Sequence, residues 1–134
     1  MRKILILFTI VLSAYLHSQQ NVFQYATTDK KGVDYYYKLE GNNLYGISQK
    51  VWIKYTAESK QVKNKKGKLI SSGGGKVLTL FDISCQNNTY QILNTIKYNK
   101  HGEVIWSNNI PSSIENVVPD SLMEGIYETI CSKE

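Results

Sequence analysis

The sequence predicts an α+β fold that is mainly β, with about six antiparallel strands in one sheet and a single C-terminal helix fastened to it by a disulfide. Three observations carry this. Most of the chain alternates apolar and polar residues with period two between turn-forming clusters. Only the segment after Pro119 changes to helical spacing. The two cysteines fall one behind an apolar strand, Cys85, and one on the helical stripe, Cys131.

The N-terminus stands apart from the fold. Arg2 and Lys3 precede a nearly apolar run from Ile4 to Leu16, the layout of a secretory signal. The run is about 13 residues, short of the ~20 that a membrane-spanning helix needs. Residues 1–18 are therefore expected to be a cleaved signal peptide, leaving 19–134 as one domain without a transmembrane segment. An exported chain follows: periplasmic, secreted or at the cell surface. No cysteine stands near the cleavage point, so a lipoprotein anchor is not expected.

Along the mature chain, Val22 to Thr27 and Val33 to Leu39 flank the turn-like Asp29-Lys30-Lys31-Gly32 and predict a first hairpin. Gly41-Asn42-Asn43 ends the second strand. Gln49 to Thr56 sets Val51, Ile53 and Tyr55 against Trp52, Lys54 and Thr56, which predicts a third. From about residue 59 to 76 lysine, serine and glycine take over, and the composition predicts a flexible basic loop that projects as a hairpin tip. Its glycines do not have Walker-loop spacing, because Ile70 and Val77 occupy the required positions. Val77 to Ile83 is apolar at almost every position and is expected to lie centrally, covered on both faces. Thr89 to Tyr98 and Glu103 to Ser107 alternate around Asn99-Lys100-His101-Gly102, a further hairpin with His101 as an exposed turn residue. Ser121 and Glu124 make a capping-box pattern, followed by Leu122, Met123, Ile126, Tyr127 and Ile130 at helical spacing.

Two cysteines in a small exported domain predict one disulfide, because an oxidising compartment lets it persist. A metal site would need two further ligands, and His101 is the one histidine left once the signal is gone, so no metal is expected. The formal charge of +5 falls by two with Arg2 and Lys3, and much of the remaining excess sits in Lys60, Lys63, Lys65, Lys66 and Lys68. This is a local patch on an exported chain, so no nucleic-acid role is expected. A solvated loop is the plain reading of the lysines, and anionic glycans or headgroups the functional one.

Taken in order, Val51-Trp52-Ile53-Lys54-Tyr55, Leu80-Phe81-Asp82-Ile83-Ser84-Cys85, Tyr98-Asn99-Lys100-His101-Gly102-Glu103-Val104-Ile105, Pro111-Ser112-Ser113 and Val117-Val118-Pro119-Asp120-Ser121, with a helix ending in Cys131, resemble the surface-adhesin protein E family of bacterial exported proteins. The resemblance runs from about Tyr35 to Cys131. It implies an antiparallel sheet carrying a disulfide-fastened helix, and a binding role at the cell surface. Nothing in the resemblance extends to the lysine- and glycine-rich segment.

Catalysis would need a nucleophile with a base, paired carboxylates or metal ligands, and none of these constellations is visible, so no catalytic residue, cofactor or enzyme activity is expected. Binding has more support. A helix of about ten residues is ~15 Å long, whereas six strands at ~4.8 Å spacing span ~24 Å. The uncovered part of the sheet must meet a coiled sheet edge, a second protomer or a ligand. Tyr36, Trp52, Tyr55, Tyr90, Tyr98 and Trp106 are the aromatic candidates, with Lys63, Lys65, Lys66 and Lys68 beside them. The expected partner is a protein or glycan, with a homodimer also open. The alternatives are a small-ligand carrier for haem or lipid, and a structural or inhibitory partner of another envelope protein.

Overall fold

The computed structural model describes residues 22–41 and 48–132. The expected signal, 1–18, and Asn42-Asn43 lie outside the described residues. The strands are β1 (Gln24–Thr28), β2 (Asp34–Leu39), β3 (Gln49–Thr56), β4 (Ser59–Lys63), β5 (Leu69–Gly73), β6 (Lys76–Ser84), β7 (Thr89–Tyr98), β8 (Val104–Asn108) and the two-residue β9 (Glu115–Asn116). Helix α1 follows at Leu122–Cys131. The main sheet runs β1-β2-β3-β6-β7-β8, antiparallel throughout, and β9 pairs with the far end of β7 beyond β8. This is the expected mainly-β architecture.

Registry sorts the side chains into two faces. One continuous rung holds Thr27, Tyr35, Tyr55, Val77, Lys97 and Trp106, and its neighbours add Tyr37, Ile53, Val51, Phe81, Ile83, Ile92 and Tyr90. On this face Tyr35, Tyr37, Val51, Ile53, Phe81 and Ile83 are buried in one cluster with Ile126 and Ile130 of α1. The opposite face carries the rung Tyr25, Tyr36, Lys54, Leu78, Ile96 and Ser107 and the rung Lys38, Trp52, Leu80 and Asn94. No described element packs across it.

β6 is central, between β3 and β7, as its apolar run predicts. It is not covered on both faces by described elements: Val77, Thr79, Phe81 and Ile83 are buried, while Leu78 and Leu80 are half-buried. The outward leucines are screened sideways by in-register Trp52 and Ile96, so an apolar residue stays there without a second layer.

α1 begins with half of the expected capping box: Ser121 caps Glu124, but Glu124 reaches back to Asp120 N, one residue before the N-cap. The Ser121 hydroxyl accepts from Glu124 N at 3.2 Å, and the Glu124 carboxylate accepts from Asp120 N at 2.8 Å. The helix then lies close to β1, where Gly125 is needed because a Cβ there would stand 2.8 Å from Thr27 Oγ1. The Thr129 hydroxyl donates to the Ala26 carbonyl at 3.1 Å, and Cys131 closes the disulfide to Cys85 with Cα atoms 5.6 Å apart. Helix and sheet are thus fastened through the last turn of the helix and packed closely at Gly125.

The segment read as a flexible loop at 59–76 contains a two-stranded ribbon instead: β4 and β5 pair from Ser59 opposite Gly73 to Lys63 opposite Leu69. Every residue of both strands is exposed, so neither shows the one-sided alternation by which strands are recognised. The glycines are conformational requirements here. Gly73, Gly74 and Gly75 all have positive φ, and a Cβ on Gly75 would meet the Tyr98 carbonyl oxygen at 2.1 Å. The expectation of a projecting hairpin stands, with strands in place of slack chain.

Candidate functional site

The strand directions bring three turns of one chemical design to the same end of the molecule. In Asp29-Lys30-Lys31-Gly32 the Asp29 carboxylate accepts from Lys31 N and Val33 N at 2.8 and 2.9 Å. In Asn64-Lys65-Lys66-Gly67 the Asn64 amide oxygen accepts from Lys66 N and Lys68 N at 2.9 Å each. In Asn99-Lys100-His101-Gly102 the Asn99 amide oxygen accepts from His101 N and Glu103 N at 2.8 and 3.0 Å. Each glycine has positive φ and donates its N–H to the carbonyl of the first residue. The first residue must supply a short acceptor side chain and the fourth must tolerate φ > 0, which explains the shared Asp/Asn-Lys-x-Gly pattern. Asp29 is held below the usual carboxylate range, first by the Val33 amide.

The six aromatic candidates do not form one surface. Tyr55 and Tyr90 pack against the buried cluster on the helix-covered face, with Tyr55 stacked 4.9 Å from Tyr35 and Tyr90 6.0 Å from Phe81. Tyr90 also donates to Glu115 at 2.7 Å, and that bond, ahead of burial, pushes its hydroxyl up to about 12. Burial, with help from the Asp29 charge, takes Tyr35 to about 12 as well, and burial raises Tyr55. These are structural tyrosines that hold the sheet and the β9 segment together.

Tyr36, Trp52 and Tyr98 share the open face and are half-buried. Lysines lie over two of them: Lys54 Nζ is 5.4 Å from the Tyr36 ring centre and 4.4 Å from Phe23, and Lys76 Nζ is 4.9 Å from Tyr98. Two acceptors on this face, Asp82 Oδ1 and Asn94 Oδ1, are buried without a hydrogen-bond partner.

Trp106 is different. It sits on the last strand of the sheet at the far end of the rung that starts under the helix, and it is 46% exposed. Lys97 Nζ lies 4.8 Å from its ring on one side. Val104 and Ile105 beside it are 58% and 63% exposed, and every residue of β8 is exposed. The chain beyond adds exposed Ile110 and Ile114, while Ser112 ties this segment to β7 through Ile92 N, Ile92 O and Gln91 Nε2. An edge strand of this kind presents unpaired backbone donors and acceptors alongside apolar side chains. It was the topology, not the composition, that singled out Trp106.

Lys63, Lys65, Lys66 and Lys68 lie exposed on the ribbon and its tip, outside the main sheet that carries the aromatic candidates. Clefts lined by described residues include one of about 360 Å³ between Thr27–Lys31 and Asp120–Leu122 and one of about 210 Å³ along Asn88, Val117, Pro119, Glu124, Tyr127 and Glu128. Neither includes a candidate aromatic. Among the described residues no group of three or more His, Cys, Asp or Glu could hold a metal, and no helix is long and apolar enough to cross a membrane.

Sheet, helix and disulfide define a domain with one face closed by a single helix and with an open face and an open edge. The chain belongs to the family described as Surface-adhesin protein E, whose model matches residues 23–132. Membership points to an adhesin-like surface or exported protein. No curated protein and no solved structure gives a significant match.

Proposed function

We propose that this protein is an exported, non-catalytic adhesin-type binding module. It is released from a signal peptide at residues 1–18 and engages a protein partner along the β8 edge. The observation that carries this reading is the edge itself: five consecutive exposed residues, three of them large and apolar, at the one side of the sheet the helix does not reach. A partner segment added there gains backbone hydrogen bonds from β8 and a tryptophan anchor from Trp106. Tyr36, Trp52 and Tyr98 on the open face extend the contact.

The test is binding of the purified protein to extracellular-matrix proteins at low and physiological salt, beside Trp106→Ala and Ile105→Lys variants. Both positions are exposed, so the variants should fold. Binding that survives physiological salt and falls at least about tenfold in each variant supports an edge-led contact. Binding unchanged in both variants, or lost wholly to salt, would refute it. The carrier alternative predicts instead a spectral or thermal shift with haem or a fatty acid.

A further inference from the structure

The ribbon plays no part in the sheet. β4 and β5 pair with one another alone, and a two-stranded hairpin without further support is only marginally stable in water. This one is nevertheless fixed at both ends. Asn64 closes the tip, and at the base Ala57 N donates to Gly75 O at 3.0 Å and Gly74 N donates to Glu58 O at 3.1 Å. Between those points the chain carries Lys60, Lys63, Lys65, Lys66 and Lys68 and no acidic residue.

It also exposes three aliphatic side chains where a solvated loop needs none. Val62 stands directly opposite Ile70, Leu69 stands opposite Lys63, and all three are exposed, Leu69 by 60%. Val62 and Ile70 thus share one face of the ribbon, and Leu69 lies with Lys63 on the other, so both faces near the tip carry aliphatic groups. The cations are also not confined to the ribbon. The other two turns at this end add Lys30, Lys31 and Lys100, and β6 and β7 add Lys76 and Lys97. The acidic groups at the same end are Asp29, Asp34, Glu58, Glu103 and Asp120. Of these, Asp29 is engaged by amides, Asp34 accepts from Thr28, and Glu103 accepts from Asn99.

A linear polyanion such as a sulfated glycan would use the lysines and leave the aliphatic groups idle. An anionic lipid surface uses both, with ammonium groups among the headgroups and short aliphatic chains at the acyl boundary. We propose that the β4–β5 ribbon docks tip first on an anionic lipid surface, seating Val62 and Ile70 of one face and Leu69 of the other at the boundary while the lysines of the ribbon and of the flanking turns hold the headgroups. The protein would then have two separate contacts, the β8 edge for a protein and the ribbon end for a membrane.

Co-sedimentation of the disulfide-intact protein with vesicles tests this. The vesicles are phosphatidylcholine alone, or the same lipid with about one third phosphatidylglycerol. The variants are Lys63→Gln/Lys65→Gln/Lys66→Gln/Lys68→Gln and Val62→Ser/Leu69→Ser/Ile70→Ser, with Ile114→Ser, an exposed apolar residue beside β9 at the other end of β7, as the control. All are exposed positions, and thermal unfolding checks the fold. The expected result is binding at least about tenfold stronger to anionic than to neutral vesicles, weakened about tenfold or more by either ribbon variant and unchanged by Ile114→Ser. Equal binding to both vesicles, or none, overturns the proposal. So does full retention by the aliphatic variant, which would mean a contact made by charge alone. Binding to heparin without binding to vesicles would assign the ribbon to a glycan and overturn it equally.

Discussion

Replacing both cysteines, Cys85→Ala with Cys131→Ala, removes the covalent link between α1 and the end of β6 without leaving a free thiol. The bond closes a loop with a sequence separation of 46. Loop-closure entropy for that length is worth about 4 kcal/mol against the unfolded chain, a large share of the 5–15 kcal/mol typical of a small domain. The helix keeps other attachments. Ile126 and Ile130 stay in the buried cluster, and the Tyr127 hydroxyl lies 2.7 Å from the Cys85 carbonyl and 2.5 Å from Asn88 Oδ1. The double variant should therefore still fold, with α1 in place, but far less stably. In urea the unfolding midpoint, followed through Trp52 and Trp106, should fall by about 2 M for a slope near ~2 kcal/mol/M. A loss below about 1 kcal/mol at unchanged slope would show that the disulfide adds little to what Tyr127 and the helix face already supply, and would refute the reasoning. A loss of the helical circular-dichroism signal under native conditions would refute the claim that the apolar face holds the helix.

Gly75→Ala should cost about 3 kcal/mol or more, because its Cβ would meet the Tyr98 carbonyl at 2.1 Å, whereas Gly32→Ala, which opens onto free space at similar φ, should cost only about 1–2 kcal/mol. Equal losses in urea would remove the close-approach argument. Gly125→Ala should destabilise despite alanine's better helix propensity, and Thr27→Ala should recover part of the loss, since the nearest atoms to the new Cβ belong to Thr27. A double-mutant cycle without coupling would contradict this. Tyr35 and Tyr90 titrate near 12 in the folded protein against about 10 when unfolded, so the folded state holds their protons longer. Their contribution is complete below pH ~10 and is lost as pH rises towards ~12, and Tyr90→Phe should flatten that alkaline fall measured by thermal unfolding.

The main sheet was legible in part: burial alternates with period two in β2, β3 and β6, although in the sequence β6 shows as an unbroken apolar run, and in β7 and β8 burial follows no alternation. Tyr35 and Tyr37, Val51 and Ile53, and Phe81 and Ile83 each alternate with outward residues, and the structure buries each pair on one face. The helix was legible from its cap and stripe. β4 and β5 were not, since a ribbon exposed on both sides gives burial nothing to select. A signal was nonetheless present: Asn64-Lys65-Lys66-Gly67 has the form of Asp29-Lys30-Lys31-Gly32 and Asn99-Lys100-His101-Gly102, both readable as hairpin turns. Composition also could not distinguish glycine used for flexibility from glycine required for positive φ, which is its role at Gly73, Gly74 and Gly75. Among the aromatics, parity within β3 already separates Trp52 from Tyr55. Which parity faces the helix is a tertiary fact, so both entered the same set of candidates.

The exposure of Trp106 follows from lengths and tethers that no local pattern contains. A helix of ten residues reaches ~15 Å, and its C-terminus is bound to the end of β6. Its body lies against β1, where Thr129 satisfies the Ala26 carbonyl and Gly125 permits close approach. A helix placed so takes Tyr90 and Ile92 of β7 at the margin of its cluster and does not reach β8, although Trp106 belongs to the same rung as buried Tyr35 and Val77. Sheets ordinarily protect an open edge with lysine, proline or a covering segment. β8 has no charge and no proline from Val104 to Asn108, and the segment that follows pairs with β7 beyond it and leaves the strand uncovered. An unprotected edge on an exported protein invites uncontrolled self-pairing, a cost that is tolerable where the edge has a partner to meet. Placing one lysine at Ile105 should therefore do two things at once: weaken binding to the partner and raise solubility at high concentration. If Ile105→Lys improved solubility and left partner binding intact, β8 would be an aggregation hazard only, and the binding surface would have to be sought on the open face around Trp52.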